Sequence, residues 1–186
     1  MAKNDFDDFV KRQQQLSAAK EYEIPFDPNK ARTDWLLYLN ALHADIYTYL
    51  KDYISDDSIS VRIEDKELHE DSIGPYIAPR MIIRIGLQEI KLDPIGTMLI
   101  NSKGRVDVIG RVGTSILTLM NKKITSAHPR VNVTVAVGRK TPRPLETPAP
   151  EEIEWIWKIM SRPPTLNFIE LNQESFLEML LEVSNG

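Results

Sequence analysis

Apolar residues along this chain change period twice. Between Asp27 and Ile54, the positions Trp35, Leu39, Leu42, Ile46, Tyr49 or Leu50, and Tyr53 step by three and four, the period of one helical face. Asp27 before Pro28 predicts the start: the carboxylate can cap the first amides, and proline needs no amide partner there. Thr33 is the competing cap. Upstream, Phe6, Phe9, Val10 and Leu16 give only a faint stripe through a glutamine-rich stretch. Residues 1–26 therefore read as an arm with a marginal helix over 5–20 that needs a partner surface.

Past the long helix the period falls to two. Ile59, Val61 and Ile63 alternate, as do Met81, Ile83 and Ile85, then Ile90 and Leu92, Val106 and Val108, and Val131, Val133, Val135 and Val137. Alternation predicts half-buried strands. The spacers after Ile85, Ile100 and Ile109 are short and hold glycine, so they join antiparallel neighbours; a parallel return needs a crossover of about a dozen residues. In NSKGRVDVIGRVGTS, Gly104 is expected to close a turn before a strand and Gly110 and Gly113 to bracket the next one. Neither phosphate-loop pattern is present, and no sustained helix follows.

The period breaks again over residues 138–152, where four prolines predict an extended connecting loop. Ile153, Trp155, Trp157 and Ile159 then alternate as a further strand, although the length also tolerates a short helix, and LNFIEL suggests another strand. Asn172 is placed to cap a closing helix with a stripe of Phe176, Leu177, Leu180, Leu181 and Val183. Glu174, Glu178 and Glu182 recur every four residues and line its solvent side. The expected class is α+β: a largely antiparallel β-meander sheet packed by a long N-terminal amphipathic helix and a C-terminal helix. Residues 27–186 are expected to form a single α+β domain, with the proline-rich loop at 138–152.

Composition narrows the chemistry. At 186 residues, 42% hydrophobic and 27% charged, the chain is long enough for one core. It has no cysteine, which excludes disulfides, thiolate nucleophiles and cysteine metal sites. The opening MAKNDFDDFVKRQQQ lacks the apolar run of a secretory signal, and no window approaches the roughly 18 apolar residues of a membrane span. A soluble, cytoplasmic protein with no membrane partner is expected.

Charge is unevenly placed. Residues 80–143 carry twelve Lys and Arg against Glu89, Asp93 and Asp107, a balance of +9, whereas residues 51–71 balance at −5 and residues 144–186 at −6. A basic centre between acidic flanks points to an anionic partner. The candidate anion- or partner-binding residues are Arg105, Arg111, Lys122, Lys123, Arg130, Arg139 and Lys140, several of them at expected hairpin tips. Between residues 80 and 152 there is no Phe, Tyr or Trp, so a base-stacking sheet is not encoded there. The partner is expected to be an acidic protein surface or a nucleic-acid backbone, bound without catalysis by a macromolecule-binding or adaptor protein. A homo-oligomer pairing through edge strands or a tyrosine-bearing helix face is a further expectation.

Catalytic sets are incomplete. His43, His69 and His128 are scattered, and residues 69–72 lack the spaced ligands and central glycine of a calcium loop, so neither a metal nor a cofactor is implied. The segment GRVDVIG…TSILTLMNKK resembles the site pattern of restriction-endonuclease-like nucleases, in which a strand-borne Asp is followed one strand later by an acid-x-Lys pair. Asp107 and Lys122 have that order. Met120 stands where the second carboxylate belongs, so the resemblance implies, as the alternative, a divalent-metal-dependent or degenerate nuclease using Asp107 and Lys122.

Overall fold

The computed structural model describes residues 26–97, 102–124, 153–161 and 167–185. The N-terminal arm up to residue 25, the Val131–Val137 alternation and the proline-rich loop lie outside these residues. Helix α1 spans Pro28–Tyr49 and starts as its sequence dictates: Asp27 Oδ1 accepts from the amides of Asn29 at 2.9 Å and Lys30 at 3.2 Å, and Pro28 fills the first helical position. Thr33 is not the cap, because its hydroxyl donates back to the Asn29 carbonyl within the helix. Leu50 leaves helical geometry with ψ 4°, and the short helix α2 (Lys51–Ser55) follows. Trp35, Leu39, Leu42, His43, Ile46 and Leu50 are buried, while Leu37 and Tyr47 are exposed on the outer side of α1.

Among the described residues seven strands run as an antiparallel meander. β1 (Ile59–Glu70), β2 (Gly74–Ile85), β3 (Gln88–Gly96), β4 (Ser102–Ile109), β5 (Thr114–Asn121), β6 (Trp155–Met160) and β7 (Phe168–Glu170) lie side by side in chain order, each antiparallel to the next. The class is α+β with an antiparallel sheet. Helix α3 (Gln173–Asn185) closes the chain, and the Asn172 side chain accepts the Ser175 amide at 3.0 Å as its cap.

Helices α1 and α3 lie on one side of the sheet, and the core forms there. Ile83, Leu92, Val108 and Leu117 meet Leu39, Leu42 and Ile46 from α1 and Phe176, Met179 and Val183 from α3. The aromatic seam is at the N-terminal end of α1. Trp35 and Trp157 have ring centroids 6.0 Å apart, and the Trp157 indole donates to the Tyr38 carbonyl at 3.3 Å. Such a ring pair contributes roughly 0.5–1.5 kcal/mol beyond burial.

Two glycines behave differently from a turn former. Gly104 lies inside β4, not before it, at a register shift opposite Leu119; a Cβ there would stand 2.1 Å from Cζ3 of Trp35, so the indole packs flat where only a hydrogen fits. Gly110 does occupy a turn, and its amide donates to the Gly113 carbonyl at 2.9 Å. It also faces the Val183 carbonyl, 2.3 Å from where a Cβ would be, which lets the end of α3 seat on the β4–β5 turn.

The long β1–β2 hairpin turns as it runs. Buried positions of β2 change parity from Tyr76 and Ala78 to Met81 and Ile83 across Pro79 and Arg80, although its register with β1 stays continuous. Its far end is fastened to β3 through Glu70, whose carboxylate accepts from the Tyr76 hydroxyl and from the Thr97 amide at 2.8 Å and hydroxyl at 2.9 Å. Burial and the neighbouring Glu70 carboxylate both push the Tyr76 phenol far above its ordinary range. In that far half β2 has no β3 neighbour, and Pro75 and Pro79 blunt its free edge.

Candidate anion-binding face

Among the described residues helices α1 and α3 lie on one side, and over β1–β4 the other face carries the side chains of the opposite parity. Over β1–β4 those positions are Arg62, Glu64 and Lys66, then Arg80, Ile82 and Arg84, then Glu89, Lys91 and Asp93, then Arg105 and Asp107. Antiparallel registration brings them together in cross-strand rows. Ile82, 1% exposed, lies between Arg62 and Lys91 in one such row, so it is sealed by neighbours that carry long aliphatic stems.

Most of the charges on this face are paired. Arg62 bonds Glu64 at 3.1 Å and Glu89 at 3.0 Å; Arg80 bonds Glu64 at 2.7 Å; Lys66 bonds Asp93 at 2.7 Å and the Pro94 carbonyl at 2.9 Å. Arg80 also stands 3.6 Å from Asp93, an ion pair too long for a hydrogen bond. The acid-rich stretch of the sequence therefore forms the strand beside the basic one, and the two largely neutralise each other.

Neutralisation is least complete around Glu89. Arg62 donates to it, and Arg84 and Lys91 stand near enough to act on its charge. Hydrogen bonding and then charge from Arg62, with smaller contributions from Lys91 and Arg84, hold the Glu89 carboxyl below its usual range. Glu64 is lowered in the same direction by Arg80 first and Arg62 second. Three cations thus gather at one carboxylate where β1, β2 and β3 meet. Arg84 and Lys91 were visible in the sequence as part of the basic centre. Arg62 was not, because it belongs to the acidic flank and only strand register brings it across.

The residues singled out from sequence do not form one group. Arg105 lies on the open face, bonded to Asp107 through Nε at 2.6 Å and Nη2 at 3.1 Å. Arg111 is exposed in the β4–β5 turn, with no hydrogen-bond or ion-pair partner among the described residues. Lys122 follows the opposite end of β5 and bonds Glu154 at 3.0 Å. Lys123 is exposed beside it, its amide bonded to the Asn121 side chain. Arg130, Arg139 and Lys140 lie outside the described residues.

Asp107 and Lys122 are not brought together. Ile116 is the β5 residue opposite Asp107, and Lys122 lies six positions further on, about 20 Å at the rise of an extended strand. Residues around Lys122 serve packing instead: the Lys122 and Ile124 carbonyls accept the ammonium of Lys158, at 2.8 and 2.6 Å, where that side chain emerges buried on the open side of β6. Burial lowers the Lys158 pKa. His43 is buried in α1 and His69 is exposed on β1. Among the described residues no three His, Asp or Glu side chains converge, and no helix is long and apolar enough to cross a membrane. No family model matches this chain, and neither does any curated protein or solved structure.

Proposed function

We propose that this chain is a noncatalytic binding protein that docks the acidic surface of another protein on the open face of its sheet. The observation that carries the reading is the cluster of Arg62, Arg84 and Lys91 around Glu89, with Arg62 shared between Glu89 and Glu64. An incoming carboxylate can add to this cluster without displacing a buried partner, because the side chains involved are exposed. The face as a whole interleaves six cations with four carboxylates, a pattern that suits discrete partner carboxylates spaced to meet the cations and not a continuous line of negative charge. A uniform phosphate backbone would meet Glu64, Glu89, Asp93 and Asp107 as repulsive points, and no aromatic side chain stands at these β1–β4 positions to stack a base.

Titrating a fluorescent Glu-rich peptide and a labelled 20-base-pair duplex at 50 and 200 mM salt, with magnesium or with chelator, tests the reading. The peptide is expected to bind more tightly than the duplex, to weaken with salt, and to be indifferent to magnesium. Duplex binding tighter than peptide binding reassigns the face to nucleic acid, and magnesium-dependent cleavage of the duplex removes the noncatalytic reading altogether.

A further inference from the structure

At the end of the sheet away from Trp35, the C-terminal end of α1 with α2, the helix α3 and the start of β1 leave a groove of about 460 Å³. Its walls are apolar: Leu50, Tyr53, Ile59, Ile85, Leu177 and Leu181 line it. Several of these remain in contact with water, Leu181 at 61% and Tyr53 at 44%. Leu87, in the β2–β3 turn between the lining residues Ile85 and Gln88, is 97% exposed. Clustered apolar exposure of this kind costs solubility and marks a surface that is covered by something.

Two features indicate what covers it. The rim is acidic. Asp56 and Asp57 precede the lining residue Ser58, and Glu174 and Glu178 stand exposed on α3 within one turn of Leu177 and Leu181, outnumbering the neighbouring cations Lys51, at the start of α2, and Arg84, beside Ile85. The wall also holds polar atoms with no hydrogen-bond partner in the protein: Ser184 Oγ, in a residue 8% exposed, and Gln88 Oε1. A hydroxyl and an amide oxygen without partners can accept from an N–H donor on whatever fills the groove; the charge of the occupant is set by the rim.

We propose that this groove binds a cationic amphipathic helix of a partner protein, its apolar face against Leu177, Leu181 and Tyr53 and its Lys or Arg side chains against the acidic rim. The surface is separate from the open sheet face and takes a partner of opposite charge, so the two readings stand or fall independently.

The test uses the full chain and a fluorescein-labelled 14-residue peptide of leucine and lysine at helical spacing, followed by anisotropy, with its uncharged leucine–glutamine counterpart as control. The Leu/Lys peptide is expected to bind at least tenfold more tightly than the Leu/Gln peptide. Leu181→Glu, at an exposed position, is expected to weaken it tenfold or more. Because that substitution adds an acid, nonspecific attraction to an acidic protein predicts the opposite sign. Leu37→Glu, on the outer side of α1, adds the same charge elsewhere and is expected to leave binding unchanged or slightly tighter. Equal binding of both peptides, or no loss in Leu181→Glu, overturns the proposal. So does light scattering that finds a dimer which Leu181→Glu converts to monomer, since the groove is then filled by a second copy.

Discussion

Arg105 and Asp107 face each other two residues apart on the same strand, the guanidinium meeting both carboxylate oxygens at 2.6 and 3.1 Å. A two-pronged pair of this kind ties up the one strand-borne carboxylate that suggested metal chemistry. It also ties up a cation of the open face. Asp107→Asn is expected to release Arg105 and to tighten Glu-rich peptide binding severalfold at 50 mM salt, measured by anisotropy. Loss of a magnesium-dependent activity in the same variant is the contrary result.

Trp35 packs over Gly104 with no room for a side chain at that position. Gly104→Ala puts a methyl group 2.1 Å from the indole, against a ring that also packs on Trp157 with centroids 6.0 Å apart. Neither ring can fold away as a flexible side chain does. The variant is expected to lose about 3 kcal/mol, the upper part of the range for overpacking, seen as a lower urea midpoint at unchanged slope.

How much of this was legible in the sequence follows from which forces act locally. Alternation placed Met81, Ile83, Val106 and Val108 correctly because one buried face fixes strand parity, and Asp27 with Pro28 marked the helix start through purely local capping. Gly104 misled because a glycine in a turn and a glycine beneath an indole look alike until Trp35 is folded over it. Leu181 was placed in the core stripe of α3, yet it is exposed, because the stripe ends where the neighbouring wall gives way to the groove. Among the described residues of β1–β4, most of the charges that stand apart along the chain are paired in space. Glu64 and Arg80 are sixteen residues apart, and only the β1–β2 register makes them neighbours. The same register moved Arg62 into the cation cluster, and no sequence signal short of that register could have found it.

His43 provides a pH test of the core. Burial lowers its pKa from 6.5 to about 4, so the unfolded chain takes up a proton at a higher pH than the folded one. Stability from keeping it neutral is therefore complete above pH 6.5 and is lost as pH falls from there through 4. The loss amounts to about 2 kcal/mol by pH 5 and about 3 kcal/mol in full. Urea unfolding at pH 7 and pH 5 should show that difference shrink in His43→Leu, with the remaining slope belonging to the carboxylates.

Glu70 is expected to hold the far end of the β1–β2 hairpin. Glu70→Ala leaves the Tyr76 hydroxyl and the Thr97 amide without their acceptor, a cost of about 2 kcal/mol or more. Hydrogen exchange should report it as faster opening of Tyr76 and Leu68, with the amides of β4 and β5 little changed.

The central claim rests on Arg62, Arg84 and Lys91 acting together at Glu89, and double charge reversal tests it most directly. Arg84→Glu with Lys91→Glu alters exposed side chains only, so circular dichroism and the urea midpoint should be close to those of the parent. Affinity for the Glu-rich peptide at 50 mM salt should fall tenfold or more, whereas Arg111→Glu with Lys122→Glu should change it less than threefold. Unchanged affinity in the first pair, or the larger loss in the second, contradicts the account.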